Sequence, residues 1–414
     1  MNRAEFWEAF ARTHWEREPL QQAPGGDLLP VDEAAVFDIL LACLTPGVQS
    51  GVNLTLHTLS EGDVSARATK EVPAPWLPLR TDGSLAGYRD RLVDVAAGRR
   101  YCLVVGQVIK NVEHWFAARD FWSGLCNEVG LPWGRIVHTL FLGNYSTTPF
   151  GAHDHPAGVF VFPISGRKRM RIWRGAYVRQ CADFDPFDYA EHRESSTLLE
   201  AGPGGLIYWP SDVWHVAESE EDWTVSLSAG FWDGSARDLA LRALGAEQRR
   251  PQGSAVRTVD PPRPSGGGEA EVPGVLADVL EALAKECGSS QAEGRLTRLW
   301  LRRVTSVGIP NPVPMRANAI PLEEMAAVWN ASGYPVRWTV APEGRTLVAA
   351  NGWVQGLRVT DVSALTSLLA DVNSGRRLEV AALRARVDER LATGELESLL
   401  NFLYKSRAID IERV

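Results

Sequence analysis

Two histidines two positions apart in "GAHDHPAGVF" (residues 151–160) are the side chains of this sequence best placed for chemistry. On an extended strand, side chains at i and i+2 share a face. His153 and His155 would therefore point one way and Asp154 the other. Further along, "GGLIYWPSDVWHVAES" offers a third candidate: Leu206 to Trp209 reads as a strand, Pro210-Ser211 as a turn, and His215 opens the next strand. In a double sheet such distant strands commonly lie side by side. Three imidazoles, from His153, His155 and His215, would then converge on one metal and leave positions free for substrate and oxygen. A lone histidine is more often a hydrogen-bonded structural residue. His14, His57, His114, His138 and His192 lack such a context and read as structural.

Ligands of this kind need a rigid scaffold, and the surrounding sequence supplies strand signals. From Val137 the chain runs through "IVHTLFLG", "GVFVFPIS", "RKRMRIWR", "GGLIYWP" and "WTVSLSAGFW", separated by Gly, Pro, Asn and Asp turns. Many short, evenly spaced strands predict a double-stranded β-helix, the jelly roll of the cupins. Ahead of them, Phe6, Phe10 and His14 fall on one helical line, with Trp7 and Trp15 close by. "YRDRLVDVAAG" and "EHWFAARDFWSGLCNEVG" read as helices ending at glycine. "AVFDILLACLT" suits a buried helix or strand, and periodicity leaves that open.

The stretch at 249–274, dense in Pro, Gly and Ser, reads as an exposed linker. It divides a β-rich domain from a mainly helical one. The expected organisation is a catalytic domain with N-terminal helices at 1–248, a linker at 249–273, a helical region at 274–310 and a further domain at 311–414. Beyond the linker, "VPGVLADVLEALAKEC" and "GRLTRLWLRRVTSVG" are amphipathic and suited to pairing with each other or with a second subunit. "YPVRWTVAPEGRTLVAANGWVQGLRVT" reads as strands joined by a Pro-Glu-Gly turn and an Asn-Gly turn. Three helices and a short final strand follow. That order predicts a winged-helix-like unit, open to a nucleic-acid or a packing role.

Composition narrows the function. The net charge is −8, yet residues 271–414 are close to neutral, so the acidic excess lies in the catalytic half. Such a surface attracts basic partners and repels nucleic acid. No run of eighteen apolar residues predicts a membrane span. A Glu-rich amphipathic start argues against a signal or transit peptide. The five scattered cysteines, without CxxC spacing, read as reduced thiols of a cytoplasmic protein.

Several segments resemble the JmjC oxygenases, specifically their cupin-type ribosomal oxygenase subfamily. "EFWEAFARTHWEREPL" resembles the family's opening helix and its Trp-Glu-x-x-Pro segment. "FLGNYSTTPFGAHDHPAGVFVFPISGRKRMRIW" resembles the strand carrying two ligands and the Gly-Arg-Lys turn. "PGGLIYWPSDVWHV" resembles the distal-histidine segment, and "TVSLSAGF" the closing strand. The layout is similar along nearly the whole chain, with the specific motifs in residues 5–20 and 137–232. The resemblance implies iron(II) in a His-x-Asp…His triad, 2-oxoglutarate as co-substrate, hydroxylation of a peptide or protein side chain, and a homodimer formed through the helices after the linker. A basic tail of a ribosomal protein or a precursor peptide would suit as substrate.

Carried over, His153 is the first ligand, His215 the distal one, and Lys168 the residue that holds the far carboxylate of 2-oxoglutarate. The ungapped match through "GVFVF" and "GRK" puts His155, not Asp154, at the family's carboxylate position. Phe141 falls where some members have a tyrosine touching 2-oxoglutarate. These departures keep two further readings open: a three-histidine cupin dioxygenase that uses no 2-oxoglutarate, and a metal- or peptide-binding protein without turnover. Asp154 could still orient an imidazole or contact substrate. The acidic loop "CADFDPFDYAEHRE" reads as solvated, with contact to a basic substrate as the lesser reading.

Overall fold

The computed structural model describes residues 2–25, 31–44, 52–59, 67–244, 281, 284–285, 287–341, 344–359, 361–387, 391 and 393–414. They fall into two compact units: Met1–Gly234 with Ser306–Pro314, and Ser235–Thr305 with Met315–Val414. The linker at 249–273, and most of the helix expected at 272–287, lie outside the described residues.

The first unit is built on β1 (Leu20–Gln22), β2 (Asn53–Leu59), β3 (Arg67–Thr69), β4 (Arg100–Gly106), β5 (Ile136–Gly143), β6 (Ala157–Ser165), β7 (Lys168–Arg174), β8 (Thr197–Ala201), β9 (Leu206–Trp209), β10 (Val213–Glu218) and β11 (Thr224–Trp232). One sheet has the order β1-β9-β6-β11-β5-β4-β2-β3, and the other β10-β7-β8. All pairings are antiparallel. Alternation decides what lies between the sheets. Val159 and Val161 of β6 meet Met170 and Ile172 of β7 and Ala217 of β10 in one apolar cluster. The intervening Phe160 and Phe162 face the other way, towards α1 (Arg3–Thr13) and α4 (Val112–Val129). A strand covered on both faces reads as an unbroken apolar run, which is why "GVFVFP" carries no polar residue.

α1 starts at a capping box between Asn2 and Glu5, and α4 at the Asn111 side chain, which accepts from the His114 amide. Their inner faces bring Trp7, Phe10 and Trp122 onto Phe160, and Phe121 onto Phe162. Trp7 and Phe121 meet edge to face at 4.9 Å, and Trp122 and Phe160 at 5.0 Å. Each such ring contributes roughly 1.5–3 kcal/mol by burial. This layer clamps the outside of the large sheet and keeps its inner face fixed.

The strands expected at β5, β6, β7, β9 and β11 are present, and residues 35–44 resolve as helix within α2 (Glu33–Leu44). The sequence reading did not place β2 and β4, which extend the large sheet. It also understated strand content after the linker. The second unit holds two three-stranded antiparallel sheets besides its helices. One is a meander of Arg337–Val340, Thr346–Ala350 and Trp353–Leu357, whose second turn is Asn351-Gly352 with both φ positive. Helices Val362–Asn373, Val380–Val387 and Thr393–Lys405 then precede the strand Ile409–Arg413. Leu365, Leu368, Leu369, Leu399, Leu400 and Leu403 fill the core of this unit.

Candidate metal centre

Between the two sheets the structure brings His153, His155 and His215 together, with one nitrogen from each within 4.8 Å of the others. His215 is the third residue of β10. Asp212, in the left-handed region at φ 59°, turns the chain into that strand. His153 is joined to it directly: the His153 amide donates to the His215 carbonyl at 3.1 Å, and the His215 amide donates back at 2.8 Å. The first two histidines do not lie on a regular strand. The chain makes this one bridge at His153, and β6 begins only at Ala157, because Pro156 has no N–H to extend a ladder. Both rings nonetheless face inward, and Asp154 is exposed.

The ring nitrogens are prepared for a metal. His153 Nδ1 lies 3.0 Å from the Gly151 carbonyl and His215 Nδ1 3.1 Å from the Val213 carbonyl. A carbonyl only accepts, so each Nδ1 carries the proton and each Nε2 is left with its lone pair. The Nε2 atoms of His153 and His155 are 3.1 Å apart. Two nitrogens bound at right angles to one ion, each at about 2.1 Å, would stand about 3.0 Å apart. Gly151, at φ +70°, makes the turn that places its carbonyl; a Cβ there would come within 2.8 Å of the Pro186 carbonyl oxygen.

Burial keeps the cluster neutral. It lowers the pKa of His153 and His215, the latter well below the ordinary 6.5, and with the neighbouring His153 takes His155 to about 4. Metal binding therefore has no proton to displace near neutral pH. An aromatic ring backs each imidazole: Phe150 at 4.8 Å from His153, Trp232 at 5.2 Å from His155 and Trp209 at 4.6 Å from His215.

Lys168 lines the same cavity of about 100 Å³. That is far smaller than pockets for drug-sized ligands, so the space suits a metal and a short acid. On β7, Lys168 alternates inward with Met170 and Ile172. Arg169 and Arg171 point outward and pair with Glu200, Glu220 and Glu218. The basic run "RKRMR" thus divides into one buried cation and a paired outer face. Lys168 is 3% exposed, donates to the Tyr145 hydroxyl at 2.6 Å and sits over the Phe141 and Tyr145 rings. No carboxylate pairs with it among the described residues. Burial pushes its pKa down to about 8. A buried ammonium in this state is built for an anionic ligand.

Tyr145, Thr148 and the three backing rings escaped the sequence reading. Alternation from Ser228 and Gly230 would have placed Trp232 inside, but no such rule reaches Tyr145 or Thr148, which follow the end of β5. Of the remaining histidines, His114 and His138 form a buried chain in which Trp122 Nε1 donates to His138 Nε2 at 2.7 Å. His192 lies against the Tyr177 hydroxyl, and His14 against backbone carbonyls. His57 lines a neighbouring cavity of about 290 Å³, to which the acidic loop contributes Asp188, Tyr189 and Arg193.

The JmjC domain family matches residues 134–239, the span from the start of β5 past the end of β11, with all three histidines and Lys168 inside it. That span is similar to the JmjC domain family. Among solved structures, ycfD of Escherichia coli is 17% identical over 98% of each chain, with a TM-score of 0.50. Another structure of the Escherichia coli ribosomal oxygenase YcfD is 16% identical over the same shares, also at 0.50. A YcfD complex with cobalt and 2-oxoglutarate is 16% identical over 98% of each chain at 0.49. At these identities the likeness is one of fold alone. No curated protein matches the chain. Among the described residues no helix is long and apolar enough to cross a membrane.

Proposed function

We propose that this protein is an iron(II)- and 2-oxoglutarate-dependent oxygenase that hydroxylates a side chain of a peptide or protein. The observation that carries this reading is one cavity with two chemically distinct lining groups: three neutral imidazoles with converging nitrogens, and a buried ammonium without a carboxylate partner among the described residues. The donor set fits a divalent first-row metal, and the ammonium fits the far carboxylate of a 2-oxo diacid. Bound iron with its 2-oxo acid would supply the oxidising power for C–H hydroxylation.

In this reading His153, His155 and His215 are the ligands and Lys168 anchors the co-substrate. The carbonyls of Gly151 and Val213 hold two of the rings in the metal-binding tautomer. The three aromatic rings keep water from the imidazoles' outer faces. Three neutral ligands leave the ion its full charge, which favours a dianionic co-substrate. The solved neighbour titled a ribosomal oxygenase agrees with a protein substrate, and the acidic catalytic half with a basic one. Dimerisation through 274–310, a winged-helix-like domain at 311–414 and a cytoplasmic location belong to the same proposal.

One observation favours a second reading. Three histidines without a carboxylate also suit a cupin dioxygenase whose substrate binds the metal itself. Anaerobic titration of the iron(II)-loaded protein with 2-oxoglutarate, followed by visible absorption, separates the two. A charge-transfer band that is lost in Lys168→Ala supports 2-oxoglutarate chelation. Absence of the band with iron demonstrably bound overturns it in favour of direct substrate ligation.

A further inference from the structure

The resemblance leaves the far carboxylate of the co-substrate one partner short, because position 141 holds phenylalanine. Tyr145, 4% exposed, comes from the turn after β5, and its hydroxyl accepts the Lys168 ammonium at 2.6 Å. The Thr224 hydroxyl lies beside the same phenol oxygen and favours its ionised form, and the phenol keeps its own O–H for an acceptor. The turn is pinned: the Asn144 side chain accepts from the Tyr101 amide at 2.7 Å, and the Asn144 amide donates to the Tyr101 carbonyl at 3.2 Å.

A second hydroxyl points the same way. Ser226 is 1% exposed, and its Oγ has no hydrogen-bond partner among the described residues. On β11 it pairs directly with Phe141 of β5, and paired residues share a sheet face. Phe141 lines the metal cavity and lies beneath the Lys168 ammonium, its centroid 5.7 Å away. Ser226 continues the inward series Ser228, Gly230 and Trp232, which lines the rest of that wall. Solvating Lys168 would explain the tyrosine alone. It does not explain a buried serine hydroxyl left without a partner on the same wall.

We infer that Tyr145 and Ser226 are the hydroxyl groups that, together with Lys168, hold the far carboxylate of the 2-oxo diacid. The inference rests on the function proposed above and adds two of this chain's own residues to it. Tyr145 replaces by a different route the hydroxyl missing at Phe141. Both are binding residues, and neither is assigned a part in the oxidation.

The test compares two acids on iron(II)-loaded protein without oxygen, by calorimetry: 2-oxoglutarate, and 2-oxobutanoate, which has the same chelating head and no far carboxylate. Tyr145→Phe and Ser226→Ala are each expected to weaken 2-oxoglutarate binding about tenfold or more, as for lost hydrogen bonds to a charged group. Binding of 2-oxobutanoate should be unchanged in both, which also shows the cavity intact. Unchanged 2-oxoglutarate affinity in either variant removes that hydroxyl from the site. Equal weakening of both acids would mean a structural role and overturn the assignment. Wild-type protein that binds iron but neither acid would overturn the proposed function, and this assignment with it.

Discussion

Replacing Lys168 by methionine should make the metal-free protein more stable while removing the proposed co-substrate anchor. The buried ammonium has a phenol oxygen and two ring faces but no carboxylate among the described residues. The fall of its pKa from 10.5 to about 8 corresponds to a penalty of about 3 kcal/mol on the charged form at neutral pH. Methionine has similar length and no charge, so it removes that penalty. The lost hydrogen bond to Tyr145 returns about 1 kcal/mol of it. The net gain of about 2 kcal/mol is a rise of about 4–8 °C in melting temperature for a unit of this size. The sign with pH is fixed too. Between about pH 8 and 10.5 the unfolded lysine holds a proton that the folded one has lost, so the wild type gains stability relative to the variant across that window. Below pH 8 the advantage of Lys168→Met is at its full value, and above 10.5 it disappears. Buried thiols and phenols also titrate in alkali, and the difference between the two proteins cancels them. Urea unfolding of both at pH 7, 9 and 10.5 is the assay. A variant less stable than wild type at pH 7, or a difference that does not shrink with pH, refutes the reasoning.

His155→Asp should still bind iron but hold 2-oxoglutarate about tenfold more weakly, since one more negative charge faces the dianion; equal or tighter binding in calorimetry would refute the charge argument. The buried pair His114 and His138 should make the protein acid-labile. Burial takes His114 to about 4 and His138 well below 6.5, so from pH 6.5 downward the unfolded chain takes protons that the folded one refuses. Each costs about 1.4 kcal/mol per pH unit down to its folded pKa, and a urea midpoint unchanged from pH 7 to 5 would contradict this. Gly124→Ala should destabilise by about 1–3 kcal/mol, as overpacking does. Its Cβ would lie 2.2 Å from Trp7 Cδ1, and a midpoint equal to wild type would show that the indole turns aside freely.

Period-two alternation made the inner strands legible, because β5, β6 and β11 each alternate between a helix-covered face and the cavity. The choice of His155 over Asp154 followed from the same rule, and the side chains obey it although the backbone there is a bridge and not a strand. β2 and β4 were harder to read: "NLTLHTL" and "RYCLVVG" are short runs beside segments with strong helical spacing, and only pairing across the sheet identifies them. Tyr145 could not be read at all. Its direction is set by the Asn144 hydrogen bonds to Tyr101, a contact between residues distant in sequence. The outward Arg169 and Arg171 could not be separated from Lys168 until the ion pairs on the outer face were visible.

The reciprocal bridge between His153 and His215 divides the metal centre into two kinds of position. These two candidate ligands are written into the backbone ladder, and any change that shifts one shifts the other. His155 lies between that bridge and the start of β6, with no pairing duty of its own. A substitution there alters the charge around the ion without touching strand register. A carboxylate and the present imidazole could therefore be exchanged there in a single step on an otherwise unchanged scaffold. Evolution is left one free dial, the electronic character of the metal, at the one ligand whose replacement leaves the fold indifferent.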